Sequence, residues 1–210
     1  MLLLRAELIK NLCRKGINEE KVLKALELVA REKFLPEALW ERAYEDNALP
    51  IDCRQTISQP YTVAFMTMIL EIYPGHRTLE VGTGSGYQAA ILAEMGADVY
   101  SIERIPELFN QSSEILNSLG YKIKCFCGDG TLGLPEFAPF DRIIVTAAAP
   151  KESQSLINQL APGGKMVVPI GNSDYQTMYI IEKEATGSIS RKATDNFRFV
   201  PLIGKEGWDR

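Results

Sequence analysis

Three glycines and two acids are spaced as a pocket for a nucleoside-bearing ligand would need them. In "LEVGTGSGYQAA", Gly82, Gly84 and Gly86 separate an apolar, strand-like run from a helix-like one. Glycine permits a tight turn and lets a ligand lie against bare backbone, while the start of the next helix offers unpaired N–H groups. Glu103 closes "VYSIE", 21 residues after Gly82, where a carboxylate can accept hydrogen bonds from both hydroxyls of a ribose. Asp129, between glycines in "CFCGDG", could accept one from an adenine amino group. Each has a plainer reading: a tight turn, a solvated strand-end acid, a common Gly-Asp-Gly turn. The G-x-G-x-G spacing departs from the dinucleotide fingerprint, which wants a small residue where Tyr87 stands. Upstream, "RQTISQPYTVAFM" turns from polar to apolar at Pro60. Pro60 suits the first turn of a helix, and Ser58 or Gln59 can cap it.

The surrounding elements must hold these groups in place. From Thr78 onward, strand-like runs ("RTLEVGT", "ADVYSIE", "YKIKCFCG", "FDRIIVTAA", "KMVVPIG") alternate with helix-like ones ("GYQAAILAEMG", "IPELFNQSSEILNSLG", "KESQSLINQLAPGG"). That order predicts an α/β fold around a doubly wound, mostly parallel sheet. "QTMYIIEKE" and "SISRKATDNFRFVPLIG" read as added strands, partly antiparallel, at the sheet's end. The stretch before residue 60 reads as helix and loop. Leu3, Leu4, Ile9 and Leu12 form one side of a first helix. A second helix spans "INEEKVLKALELVAREKFL", capped by Asn18, with a stripe of Val22, Leu23, Leu26 and Val29, and "LPEALWERAYED" follows as a third helical piece.

Composition excludes several classes. The formal charge is −4 with lysines and arginines scattered, so no basic footprint invites nucleic acid or an anionic membrane. No apolar run approaches the ~20 residues of a membrane span, and charge enters too early in "MLLLRAELIK" for a signal-peptide core; the expectation is cytoplasmic. Cys13, Cys53, Cys125 and Cys127, with His76 the only histidine, are too few partners for a metal site and are expected to be reduced and mostly buried.

Together the order of these motifs resembles the class I S-adenosylmethionine-dependent methyltransferases, a Rossmann-like fold. The segments "AYEDNALPI", "QTISQPYTVAFM", "VTAAAP" and "FVPLIGKEGW" narrow the resemblance, nearly end to end, to the protein-L-isoaspartate O-methyltransferases. The resemblance implies one domain over 1–210: a helical N-terminal extension and active-site segment at 1–75, a cofactor-binding core at 76–183, and substrate-binding strands at 184–210. It implies S-adenosyl-L-methionine as cofactor and S-adenosyl-L-homocysteine as product. Cofactor contacts fall to Gln55, Thr56, Ile57, Ser58, Glu80, Gly82, Thr83, Gly84, Glu103, Gly128, Asp129 and Gly130, with Glu80 facing the cofactor's ammonium. Ser58 is the implied active-site residue, orienting a carboxylate at a helix start. Ser58, Val200, Pro201 and Leu202 are the implied substrate contacts, the last three by pairing backbone with a bound peptide. Val63 and Ile203, polar cofactor contacts in some relatives, receive no side-chain role. The implied partners are isoaspartyl-containing peptides and damaged proteins (D-aspartyl ones more weakly), with no nucleic acid, membrane or metal, and a monomer is expected. Other readings predict different chemistry: a methyltransferase for small molecules, a nicotinamide oxidoreductase, or a module that binds isomerised peptides without turnover.

Overall fold

The structure, a computed structural model, describes residues 1–209. Its frame is a seven-stranded sheet. Five strands lead in parallel: β3 (Arg77–Val81), β4 (Asp98–Glu103), β5 (Lys124–Cys127), β6 (Phe140–Val145) and β7 (Leu160–Gly171). Then β8 (Gln176–Lys183) and β9 (Ile189–Phe197) add on antiparallel. The spatial order is β5-β4-β3-β6-β7-β8-β9. The chain therefore runs outward from β3 to one side, then crosses back to β6 on the other. The crevice beyond the carboxyl ends of β3 and β6 is the switch point where ligands settle in open α/β sheets.

Helices cover both faces. α1 (Leu2–Arg14), α2 (Glu20–Leu28), α3 (Pro60–Leu70) and α4 (Tyr87–Glu94) lie on one side, and α6 (Gln154–Asn158) on the other, while α5 (Pro106–Ser118) flanks β4 and β5. Strand residues alternate between the two cores as the pleat requires. Ile144 and Val167 join the helices of residues 1–94, whereas Ile143, Val145, Met166 and Val168 pack with Leu156 and Leu160 opposite. A small antiparallel pair, β1 (Leu49–Pro50) and β2 (Thr56–Ile57), projects ahead of α3.

The strands and helices from residue 77 onward follow the alternation expected. The N-terminal region departs from it. Leu12 is buried on α1 as expected, but Leu3 is 86% exposed and Leu8 takes the inner place. α2 starts after Glu19 with no side-chain cap, so Asn18 is not the cap. The helix stops at Leu28; Arg31–Phe34 and Glu37–Arg42 are short 3₁₀ turns rather than α-helix. Arg31 turns inward there and donates to the carbonyls of Ala43, Asn47 and Ser58, and Pro36 separates the two turns. The cysteines also differ: Cys13, Cys53 and Cys127 are exposed and Cys125 half-buried. β5 is the sheet's edge strand, covered too thinly to bury either of its two.

Candidate active site

At the end of β3 the backbone breaks into the glycine turn. Gly82 has φ +96, and a Cβ there would come within 2.5 Å of the Thr146 hydroxyl. That hydroxyl, directly after β6, donates to Gly82 O at 2.6 Å, while Thr146 N donates to Val81 O at 3.0 Å. Only glycine fits between the two strand ends. Gly84 and Gly86 continue the turn with φ +52 and +89, and α4 starts at once.

Glu103, at the carboxyl end of β4, is buried and stands beside this loop. Its two oxygens accept from Gly84 N and Ile105 N, each at 2.9 Å. A carboxylate has further lone pairs on both oxygens, so Glu103 can brace the loop and still receive the hydroxyls of a ligand. Glu80, one strand inward, is wholly buried. Ser101 donates to its Oε2, and Ser101 is joined in turn to Thr83 Oγ1 at 2.6 Å; Oε1 has no hydrogen-bond partner among the described residues. Burial pushes the Glu80 carboxyl up to about 8, and neighbouring Glu103 adds to that. The Ser101 bond and the Ala89 N–H, near but not bonded, act the other way. Glu80 is thus a largely neutral acid at pH 7, reaching the cavity only through two hydroxyls.

One cavity gathers Gln55, Thr56, Ile57, Ser58, Gly82, Thr83, Gly84, Glu103, Gly130, Val200, Pro201 and Leu202. Twelve of the positions expected from sequence therefore share a wall, although they come from five separate stretches of chain. Glu80, Gly128 and Asp129 lie outside that wall. Asp129 is spent on the fold: Oδ1 accepts from Thr131 N and Oγ1 at 3.0 and 2.7 Å, and Oδ2 from Lys205 N at 2.8 Å. Burial alone would raise its pKa, but these donors hold it below the ordinary carboxylate value. Sequence reasoning left unassigned several residues of the same wall: Val63, Ser85, Tyr87, Arg104, Leu108, Thr146, Ala147 and Ile203. Thr146 was discoverable, because it is the first residue past the strand that faces the glycine loop across the switch point.

A second cavity adjoins the first. Thr56, Ser58, Thr146 and Val200 line both, and the second continues along Asn47, Gln59, Tyr61, Tyr175, Phe197 and Arg198. Ser58 sits between β2 and α3, at this junction. Neither Ser58 nor Gln59 caps α3 with a side chain; Asp46 does, its Oδ1 accepting from Tyr61 N at 2.8 Å. The serine hydroxyl is left for the cavity. The backbone of Val200–Leu202 is already paired: Ala148 N donates to Val200 O and Leu202 N to Ala148 O, both at 2.8 Å, and Trp208 N to Leu202 O at 2.7 Å. Pro201 has no N–H, so this stretch offers little free backbone for a peptide to pair with, contrary to the expected strand addition. Its side chains remain as walls.

The arrangement can hold a small polar ligand with a diol on Glu103 and present it to an anion brought against Ser58. Among the described residues no group of three His, Cys, Asp or Glu is close enough to hold a metal.

Comparison with known proteins agrees with this geometry. The profile of the protein-L-isoaspartate(D-aspartate) O-methyltransferase (PCMT) family matches residues 4–207. Proteins named protein-L-isoaspartate O-methyltransferase from Cytophaga hutchinsonii and Chlorobaculum tepidum are 50% and 51% identical over 98% and 97% of this chain, covering 93% and 96% of their own. A solved structure of a protein-L-isoaspartate O-methyltransferase superposes with a TM-score of 0.86 at 29% identity, over 97% of this chain and 67% of that one. A Plasmodium falciparum protein assigned to the same enzymes, solved in complex with S-adenosyl-L-homocysteine, does so with 0.83 at 28%, over 95% and 98%.

Proposed function

The chain belongs to the protein-L-isoaspartate(D-aspartate) O-methyltransferase family, and from that premise we propose how its cavities carry out the reaction. It is an S-adenosylmethionine-dependent carboxyl methyltransferase that methylates isoaspartyl residues, the step that opens repair of aged protein. The bound cofactor supplies a methyl group activated by a sulfonium.

The pocket fits that cofactor on two observations: a turn where a Cβ at Gly82 would strike Thr146, and a buried carboxylate with spare lone pairs beside it. In our reading Gly82, Thr83 and Gly84 hold its amino-acid part, Glu103 its ribose, Gly130 its base, and Gln55–Ile57 cover it. Glu80, Gly128 and Asp129 act one layer back, on the turns themselves. The peptide enters the second cavity, along Val200–Leu202 and the Phe197 wall.

At Ser58 the free α-carboxylate of the isoaspartyl linkage is turned toward the methyl. With an ordinary pKa of about 3–4 it arrives ionised, so no general base is needed. The carboxylate oxygen forms the new O–CH₃ bond as the C–S bond breaks; the bonding pair stays on sulfur, and no proton moves. What the chain provides is alignment and exclusion of water. The ester then closes to a succinimide without further help, and hydrolysis returns part of it to normal linkage. We further take the protein to work as a cytoplasmic monomer, without nucleic acid or membrane. Among the described residues no helix is long and apolar enough to cross a bilayer.

The observation that carries this reading is that Ser58 borders both cavities with its hydroxyl uncommitted to the helix cap. Labelled cofactor offered with peptides differing only in Asp versus isoAsp tests it: base-labile label should enter the isoAsp peptide alone. Ser58→Ala should lower that turnover by roughly ten- to hundredfold while leaving the calorimetric affinity for S-adenosyl-L-homocysteine near wild type. Unchanged turnover would remove Ser58 from the role.

A further inference from the structure

Among the described residues Arg31 makes no salt bridge to a carboxylate. It is completely buried. Its guanidinium donates only to carbonyls: Nε to Ala43 O at 2.8 Å, Nη1 to Ser58 O at 2.9 Å and Nη2 to Asn47 O at 3.1 Å. Its Cζ lies over the Tyr87 ring, 5.4 Å from the centroid. Asp46, whose charge acts on it, is occupied elsewhere, by Lys15 Nζ at 2.6 Å and by the Tyr61 N–H. Burial draws the Arg31 pKa down, with Tyr87, Asp46 and Tyr44 opposing, but a guanidinium starts so high that it stays charged.

A charge left unpaired in a dry interior is costly. Tying three loops together would need donors, not charge. The location makes sense of the cost. Ser58 borders both cavities, Asn47 lines the second and Tyr87 the first, so one side chain touches the frame of every part of the junction. It does so from behind, through backbone, without entering either cavity.

We propose that Arg31 is a positioning residue for methyl transfer: it fixes the Ser58 turn and keeps a guanidinium that is hydrogen-bonded to no carboxylate behind the place where the substrate carboxylate is aligned. The proposal rests on the reading of Ser58 as the residue that orients that carboxylate. Placement behind the wall is chemically apt. A guanidinium in direct, bidentate contact would hold the carboxylate's lone pairs and weaken it as a nucleophile. Set back, the same charge draws an anion into the pocket and leaves its oxygens free.

The test combines isoaspartyl-peptide kinetics, calorimetric affinity for S-adenosyl-L-homocysteine and thermal melting for Arg31→Lys and Arg31→Ala. In Arg31→Lys, kcat/KM is expected to fall at least about tenfold with the affinity for S-adenosyl-L-homocysteine held within roughly threefold. In Arg31→Ala, millimolar guanidinium should restore part of the turnover, whereas urea, a neutral molecule of the same shape, should not. Cofactor-product affinity and turnover falling in parallel would overturn the proposal, since Tyr87 would then be reporting a collapsed cavity. Equal rescue by urea would overturn the role of charge. If Arg31→Ala does not fold, Arg31→Lys decides alone. Wild-type turnover in Arg31→Lys beside a loss in Ser58→Ala sinks this proposal only; wild-type turnover in Ser58→Ala sinks the reading beneath it.

Discussion

Glu80 illustrates how far a single residue's chemistry can sit from what its position suggests. From sequence it stands next to the glycine loop, free to meet an ammonium. In the fold it is sealed behind Thr83 and Ser101 with one oxygen unpartnered. That has a measurable consequence. Its folded pKa, about 8, lies above the ordinary 4.5, so the folded state binds its proton more tightly than the unfolded chain does. The associated stability is complete below pH 4.5 and is lost as pH rises through about 8. Glu80→Gln keeps the acceptor for Ser101 and removes the titration. The variant should therefore melt higher than wild type at pH 8 and converge with it near pH 5. Melting curves across that range check it; a constant difference at every pH would mean that the carboxyl does not titrate there. The contact between Glu103 and the glycine loop is legible because Gly84, which donates to it, lies only 19 residues away. That Asp129 also anchors the C-terminal segment is not legible locally, because Lys205, which donates to one of its oxygens, lies 76 residues away.

At the scale of elements, α3 depends on help that no local pattern announces. Its apolar run and Pro60 are legible, and the helix is where they put it. Its cap comes from Asp46, fifteen residues before Tyr61, across the hairpin of β1 and β2. Asp46→Ala should cost about 1–2 kcal/mol in urea unfolding, nearly all of it from the cap, because the exposed Lys15 partner contributes little. Asp46→Asn retains an acceptor and should cost only a few tenths. Equal losses in the two would point to the ion pair instead. The same contrast explains the misread stretch at 31–47. The local pattern reads as helix there, yet the chain forms two 3₁₀ turns separated at Pro36, with Arg31 drawn inward to three distant carbonyls that no local pattern announces. The central strands β3, β4 and β6 were legible because each is a short apolar run with its core residues buried.

The whole molecule places its ligand pocket on a seam. Strand ends and the glycine turn form one side, and residues 200–203, beyond the sheet, form the other. That second side is fastened by a set of bonds to the core: Asp129 to Lys205 N, Glu206 to Ser153 and Ser155, and Trp208 Nε1 to Ala148 O at 3.0 Å. Trp208→Ala removes one of these fasteners without touching a ligand. It should weaken S-adenosyl-L-homocysteine binding by about 1 kcal/mol, roughly fivefold in Kd, with the sheet's circular dichroism unchanged. Wild-type affinity would show the wall to be self-supporting.

The late arrival of that wall also has a bearing on biosynthesis. A polypeptide translated only through β9 already has its hydrogen-bonded sheet and both apolar cores largely in hand, yet its pocket is open along one flank. Copies interrupted at that stage could fold without becoming able to capture the methyl donor, so competence is withheld until Val200–Trp208 has emerged and docked.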